Sequence, residues 1–241
     1  MSMLRPLCLV FDMDDTVYLE RDYVRSGFRA VGAWVSAEMQ VHDFAERAWA
    51  LFEAGQRRNV FDQALAGAGC QASPELISRM VSIYRDHRPN ITLLPDAAEC
   101  LSLLQGKCRL ALVSDGYLIA QERKVEALGL APLLNTVVLT DRWGSEYWKP
   151  HGRAFAYVES LWATENLAFA YIADNPAKDF TAPLAMGWAA IRVRRPGGLH
   201  YGAEAGPGLE PVVEIAGLDE LPAVLAGADW RTAGLPANAC S

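Results

Sequence analysis

Short apolar runs alternate with longer amphipathic segments along most of this chain, and several of the runs end in a carboxylate or hydroxyl residue. This alternation is typical of a parallel β-sheet whose strands are joined by crossover helices. The predicted strands are Leu7–Phe11, Arg109–Val113, Thr136–Leu139, Phe169–Ala173 and Ala189–Val193, with a late run at Val212–Ile215. The helices predicted between or after them are Leu118–Leu128, Gly152–Trp162, Ala177–Met186 and Leu218–Leu225. The chain is therefore predicted to be an α/β protein.

The pattern changes between the first and second strands. From about Tyr23 to Arg88 there is no convincing strand, and four helices fit better. These are Tyr23–Met39, Asp43–Ala54, Val60–Ala68 and Pro74–His87. We predict a sheet domain formed by residues 1–17 and 95–228, a helical insert with its linkers at 18–94, and a C-terminal tail at 229–241.

Composition restricts the partners. The chain is 51% hydrophobic and 21% charged, which argues against disorder. With a formal net charge of −7, we expect no attraction to nucleic acid or to an anionic membrane. No apolar run reaches the roughly 18 residues of a membrane span, and no signal peptide is evident. The five cysteines are scattered and odd in number, which favours free thiols and a cytoplasmic location. The oligomeric state stays open.

Polar residues that could carry chemistry follow the predicted strands. Asp12, Ser114 and Asp174 each come directly after a strand, and Lys149 follows the third strand after a longer loop. In open parallel sheets, ligands bind where the carboxyl ends of the strands meet. If these strands are neighbours, the four side chains lie at one edge of the sheet.

The residue types match the needs of phosphoryl transfer. The Asp12 carboxylate is the candidate nucleophile, and Asp14 is placed to protonate the leaving oxygen and then to activate water. Lys149 would stabilise negative charge in the transition state. Asp174, together with Asp12, offers the oxygen ligands that Mg²⁺ prefers.

Further residues are assigned to phosphate binding and to support. The hydroxyl group of Ser114 and the backbone N–H groups of Asp115 and Gly116 are expected to hold phosphate oxygens. Thr16 and Asp179 are expected to support the site, Asp179 by orienting Lys149 or a metal-bound water. Taken alone, each of these segments could be an ordinary turn or helix cap. Their occurrence together at successive strand ends favours a site.

Two arginine clusters lie outside the strand-end segments. Arg57 and Arg58 lie in a predicted interhelical loop of the insert and are candidates for binding the substrate, with a solvated helix start as the alternative. A second cluster follows the last core strand and is expected on the surface, with one member reaching the site as the alternative. It contains Arg192, Arg194 and Arg195.

With these residues in place, the chain resembles the haloacid dehalogenase-like hydrolase superfamily. Asp12-Met13-Asp14-Asp15-Thr16 matches its first motif, Ser114 the second, Lys149 the third, and Asp174 with Asp179 the fourth. The helical insert matches the cap of the subgroup that includes phosphoglycolate phosphatase and β-phosphoglucomutase. The resemblance implies a Rossmann-like parallel sheet with helices on both faces, an inserted α-helical cap and a bound Mg²⁺ ion. It also implies Asp12 as nucleophile and the backbone carbonyl of Asp14 as a metal ligand.

The resemblance also bears on the reaction. The founding dehalogenases of this family lack the second aspartate of the first motif, so Asp14 favours phosphate chemistry over carbon–halogen cleavage. The prediction is an Mg²⁺-dependent phosphomonoesterase acting on a small phosphorylated metabolite, with sugar phosphates favoured, through an aspartyl-phosphate. Two alternatives stay open: a phosphomutase or phosphotransferase of the same fold, and a non-catalytic binding or regulatory subunit.

Overall fold

Six parallel strands form one sheet in the computed structural model, which describes residues 6–227. The strands are β1 (Leu7–Phe11), β2 (Arg109–Ser114), β3 (Thr136–Leu139), β4 (Ala168–Ala173), β5 (Ala189–Val193) and β6 (Val213–Ile215). Their order across the sheet is β3-β2-β1-β4-β5-β6, with every neighbouring pair parallel. The order runs one way from β1 to β3 and the other way from β4 to β6. The direction therefore reverses between β1 and β4, which is the switch point where open α/β sheets bind ligands.

Nine α-helices accompany the sheet within the described residues. They are α1 (Glu20–Met39), α2 (Phe44–Glu53), α3 (Val60–Gly67), α4 (Pro74–Asp86), α5 (Pro95–Leu104), α6 (Leu118–Ala127), α7 (Arg153–Leu161), α8 (Thr181–Ala185) and α9 (Leu221–Ala226). Two short 3₁₀ helices, Thr140–Trp143 and Ser145–Tyr147, follow β3. The predicted α/β class with a Rossmann-like parallel sheet is confirmed.

The chain divides into two compact units. Arg21–Ile91 forms a helical unit, and the described residues up to Glu20 and from Thr92 onward form the sheet unit. The four cysteines within the described residues are free thiols, and no described helix is long and apolar enough to cross a membrane. The predicted tail at 229–241, with its fifth cysteine, lies outside the described residues.

The helix predictions needed two corrections. The helix expected at Ala177–Met186 is limited to α8, because the chain from Asp174 to Phe180 forms turns instead. In these turns a carboxylate oxygen of Asp179 accepts a hydrogen bond from the backbone N–H of Asn175 at 3.0 Å. Helix α5 was not predicted. Its signals were a proline at the first helical position, Pro95, followed by a buried stripe at helical spacing.

The sheet unit is held by a core of interlocking aromatic side chains. Phe155 of α7 is fully buried and meets the rings of Tyr171 and Trp188 edge-on, at centroid distances of 4.9 and 5.5 Å. Trp188 also stacks on Phe169 at 4.7 Å. Strand β4 is buried on both sides along most of its length, so its residues read as a continuous apolar run. This packing fixes the position of β4 and of the loop that follows it.

The helical unit has its own aromatic core. The ring of Phe28 on α1 lies within 6.3 Å of the rings of Phe52, Phe61 and Tyr84, one from each of the other three helices. Gly27 is required beside it, because a Cβ atom there would lie 2.4 Å from the ring of Tyr84. The four helices of this unit therefore pack around a core of their own.

Removing the central ring of the sheet-unit core is expected to cost stability. Phe155→Ala should lower the free energy of unfolding by about 3–5 kcal/mol, because it deletes a buried ring and leaves a cavity. Chemical denaturation measures the change. Leu161→Ala on the same helix is the control, since Leu161 is 40% exposed, and should change stability by less than about 1 kcal/mol. Equal losses in the two variants would contradict the assignment of this core.

Candidate active site

Three of the predicted site residues meet at the carboxyl edge of the sheet. Phe11 pairs with Leu112 of β2 on one side and with Ile172 of β4 on the other. Ser114 lies two residues after Leu112, and Asp174 lies two residues after Ile172. The two residues therefore lie on opposite sides of Asp12. All three residues are buried. The strand-end geometry expected from the sequence is therefore present.

Lys149 joins this group through a fully buried ammonium. Its Nζ lies 2.7 Å from Asp12 Oδ1 and 2.7 Å from Asp179 Oδ1, and donates to the Tyr171 hydroxyl at 2.8 Å. Burial lowers the pKa of Lys149, but the carboxylates of Asp12 and Asp179 outweigh burial and hold this pKa well above its usual value. Lys149 therefore stays charged beside Asp12. Tyr171, which passes a hydrogen bond on to the carbonyl of Val113, was not singled out in the sequence.

Three buried carboxylates lie close enough to share a cation. One oxygen from each of Asp12, Asp174 and Asp179 falls within 4.8 Å of the others. Burial, together with the charges of Asp12 and Asp179, raises the pKa of Asp174 to about 9. Burial also raises the pKa of Asp12 to about 6, against the lowering effect of Lys149. Without further positive charge, the cluster cannot be fully ionised at neutral pH.

The donor set fits a divalent cation. Oδ2 of Asp174 is buried and has no hydrogen-bond partner, which is costly for a carboxylate oxygen and is relieved by a ligand. Carboxylate oxygens are what Mg²⁺ prefers, and this ion is usually bound through one or two of them. Both oxygens of Asp179 are engaged, one by Lys149 and one by the N–H of Asn175. Asp12 and Asp174 are thus better placed than Asp179 to supply ligands.

The carboxylate of Asp14 is held in a separate set of contacts. Its Oδ1 receives Lys124 Nζ at 2.7 Å and the hydroxyl of Tyr18, and its Oδ2 receives Gln121 Nε2 at 3.2 Å. Burial would raise the pKa of Asp14, but Lys124 and these hydrogen bonds together lower it. None of the three partners was predicted.

Gln121 connects Asp14 with the second predicted motif. Its amide nitrogen donates to Ser114 Oγ at 2.7 Å and also to the backbone carbonyl of Asp115. Gly116 has a φ of +130°, and a Cβ there would lie 3.1 Å from the Gln121 side chain. Glycine is therefore required for this turn to pass Gln121.

Asp115, which was predicted to act through its backbone N–H group, holds several loops together through its side chain. Its Oδ1 accepts from Thr140 Oγ1 at 2.8 Å and from the backbone N–H of Lys149 at 3.1 Å. Its Oδ2 lies 3.2 Å from Lys178 Nζ. The carboxylate thus positions the loop that carries Lys149.

Asp15 connects the first motif to the loop after β5. It has a left-handed φ of +53°, and its two carboxylate oxygens accept the N–H groups of Glu20 at 2.8 Å and Leu199 at 2.7 Å. Neighbouring Thr16 is fully buried, and its hydroxyl has no hydrogen-bond partner. The structure thus gives Asp15 a positioning role and leaves the role of Thr16 as a prediction.

The surface prediction for the second arginine cluster was wrong for two of its members. Arg192 is fully buried, and its guanidinium donates to the carbonyls of Asp174, His200 and Ala203 at 3.2, 2.9 and 2.7 Å. Arg195 is also buried; it donates to the Thr16 carbonyl and pairs with Asp96. Backbone carbonyls and carboxylates pair with both guanidinium groups, which offsets the cost of burying them.

Arg57 and Arg58 belong to the helical unit. The Arg57 guanidinium donates to the carbonyl of Phe52 at 2.6 Å and lies 4.0 Å from the centre of that residue's ring. This contact caps the end of α2. Both arginines are exposed, and a substrate role for them stays a prediction.

Residues 7–187 match the model of the haloacid dehalogenase-like hydrolase family. The chain belongs to this family. It is a hydrolase, and the predicted motif residues Asp12, Ser114, Lys149 and Asp174 all lie within the matched segment. A glyceraldehyde 3-phosphate phosphatase from Methanocaldococcus jannaschii is 25% identical over 195 residues, which cover 77% of this chain and 83% of that protein.

Solved structures share the fold. The HAD-hydrolase YfnB from Bacillus subtilis, in a structure bound to magnesium, has a TM-score of 0.67 at 21% identity and covers 92% of this chain and 99% of its own. The 2-haloacid dehalogenase from Pseudomonas syringae pv. Tomato has a TM-score of 0.62 at 22% identity, covering 92% and 98%. At such identities these likenesses establish the fold alone.

Substitution of Asp15 tests its role. Asp15→Ala should lower the free energy of unfolding by about 2–3 kcal/mol, because two backbone N–H groups lose their acceptor. Asp15→Gly should lose about 1 kcal/mol less, since glycine adopts a positive φ without steric cost. Chemical denaturation of both variants gives the comparison. A glycine variant less stable than the alanine variant would contradict this account.

Proposed function

We propose that this hydrolase releases inorganic phosphate from a small phosphorylated metabolite, with sugar phosphates as the favoured substrates. The named activity of the Methanocaldococcus jannaschii relative supports this class, because glyceraldehyde 3-phosphate is a three-carbon sugar phosphate. The observation that carries the proposal is the buried group of Asp12, Asp174 and Asp179 around the ammonium of Lys149. Phosphoryl transfer of this kind uses a carboxylate nucleophile, a fixed cation beside it and ligands for a second cation.

Asp12 is the residue that we propose attacks phosphorus. With a pKa of about 6 it is mainly ionised at neutral pH. One of its oxygens is held by Lys149 at 2.7 Å, which fixes the rotation of the carboxylate. The ammonium then stays beside the oxygens on which negative charge grows during transfer. The attack forms a bond from Asp12 to phosphorus and breaks the bond to the leaving oxygen.

Asp14 is the proposed acid and base. It lies two residues beyond Asp12 and is held by Lys124, Tyr18 and Gln121. A carboxyl at this point would give its proton to the leaving oxygen and later take one from the water that hydrolyses the aspartyl-phosphate. Ser114 and the N–H groups of Asp115 and Gly116 are proposed to hold the remaining phosphate oxygens.

The proposed cofactor is Mg²⁺, held by Asp12, Asp174 and the backbone carbonyl of Asp14. When bound, the ion neutralises negative charge that would otherwise repel an anionic phosphate from a carboxylate nucleophile. The unpartnered Oδ2 of Asp174 supports this assignment. The backbone carbonyl of Asp14 is included because the resemblance to the family implies it as a metal ligand.

The helical unit is proposed to act as the cap of the site, with Arg57 and Arg58 as its substrate-binding candidates. A cap excludes water and selects the leaving group, which favours small soluble esters over polymers. We also place the enzyme in the cytoplasm, which the free thiols of the described cysteines support.

Replacing the nucleophile tests the mechanism. Asp12→Asn is expected to reduce phosphate release from glyceraldehyde 3-phosphate and other sugar phosphates by at least about a thousandfold. Asp219→Asn is the matched control, because Asp219 is exposed in the sheet unit. Release that persists in Asp12→Asn would refute Asp12 as nucleophile. An isomerised sugar phosphate in place of inorganic phosphate would favour a phosphomutase, and no turnover of any ester would favour a binding subunit.

Magnesium binding can be read without turnover. Saturating Mg²⁺ should raise the thermal unfolding midpoint of the wild type by roughly 5–10 °C. Asp174→Asn should lose this rise, yet be at least as stable without Mg²⁺, because it removes a crowded carboxyl. Asp219→Asn should respond like the wild type. Differential scanning calorimetry gives the midpoints, and a full magnesium response in Asp174→Asn would contradict the proposed ligand.

A further inference from the structure

Three of the four lysines in this sequence lie at the carboxyl edge of the sheet. They are Lys124, Lys149 and Lys178, whereas Lys107 is exposed just after α5. Lys124 pairs with Asp14, and Lys149 with Asp12 and Asp179. Lys178 has no part in the mechanism proposed above. It lies in the turns after β4, next to Asp179.

Lys178 differs from the other two lysines in its exposure. The side chains of Lys124 and Lys149 are 6% and 0% exposed, and that of Lys178 is 35% exposed. Its contact with Asp115 is also longer than the 2.7 Å contacts of the other two lysines, at 3.2 Å from Nζ to Oδ2. A long, flexible lysine in this position can reach a ligand that arrives from solvent.

Asp115 does not depend on Lys178. Its carboxylate also accepts hydrogen bonds from Thr140 Oγ1 and from the backbone N–H of Lys149, at 2.8 and 3.1 Å. If the ammonium of Lys178 moved away, these contacts would still satisfy the buried carboxylate. Lys178 can therefore exchange one partner for another while both carboxylate oxygens of Asp115 keep a hydrogen bond.

The ammonium of Lys178 interacts electrostatically with Asp12, the proposed nucleophile. The charges of Asp12, Asp179 and Asp115 raise the pKa of Lys178, against burial and the charge of Lys149. In return, Lys178 lowers the pKa of Asp12. Lys178 thus stays charged, and its ammonium lies beside Asp115, the residue that follows Ser114.

We propose that Lys178 is a phosphate-binding residue, whose ammonium exchanges its long contact with Asp115 for a contact with a phosphate oxygen. Lys149 Nζ is paired with Asp12, Asp179 and Tyr171, so its N–H donors are already bound to groups of the protein. An incoming phosphate dianion needs a cation that can still offer hydrogens, and Lys178 is placed to supply it. This inference rests on the proposed function, because it names part of the binding site for the same substrate group.

Calorimetric titration with inorganic phosphate in the presence of Mg²⁺ tests this role. Lys178→Met should weaken phosphate binding by about tenfold or more, since it removes a charge-assisted hydrogen bond. Lys178→Arg should retain most of the affinity, and Lys107→Met should match the wild type. Thermal unfolding of each variant shows whether it is folded.

Each outcome decides the matter. Phosphate binding by Lys178→Met equal to that of the wild type would overturn the proposal, as would a wild type that binds no phosphate. Losing the same affinity in Lys178→Arg would point to a clamp on Asp115 instead, and would also overturn it. Turnover is not used, so a chain that binds phosphate through Lys178 but hydrolyses no ester would contradict the proposed function alone.

Discussion

A single buried ammonium holds the site together. Lys149 has a fully buried side chain and lies within 2.8 Å of oxygens of Asp12, Asp179 and Tyr171. A buried charge is tolerated when it is paired and hydrogen-bonded, and removing one partner leaves the other uncompensated. These partners come from the end of β1, from β4 and from the turns after β4. The position of Lys149 therefore depends on the central part of the sheet, and the orientation of Asp12, the proposed nucleophile, depends on Lys149.

The positions of the motifs could be predicted because each follows a strand. A buried parallel strand appears in the sequence as a short apolar run. The residue that follows the run lies at the carboxyl edge of the sheet. Asp12, Ser114 and Asp174 were found in this way. Gln121 and Lys124 could not be, since they lie inside a helix and meet Asp14, which is 107 and 110 residues away along the chain. Helical periodicity shows which face is buried and does not identify the polar partner.

The buried arginines show a second limit. Charged residues are rarely buried without partners, so Arg192 and Arg195 were expected on the surface. The partners of Arg192 include the backbone carbonyls of Asp174, His200 and Ala203. Every residue has a backbone carbonyl, so the sequence does not indicate which of them will accept a hydrogen bond. The loop that supplies two of these carbonyls, residues 196–211, is rich in glycine and proline. Arg192 ties this loop to the backbone of Asp174, on the edge of the site.

The environments of Asp12 and Asp14 differ in a way that fits their proposed roles. Burial raises the pKa of Asp12 to about 6, whereas Lys124 and hydrogen bonds lower the pKa of Asp14 despite its burial. Opposite shifts in neighbouring carboxyls are a recurrent way of dividing acid and base functions. In the conformation described, Asp14 is ionised and suited to accept a proton from water, the second half of the proposed reaction. To donate a proton in the first half, it must loosen its contact with Lys124. Lys124 is thus the group whose movement would switch Asp14 between its two tasks.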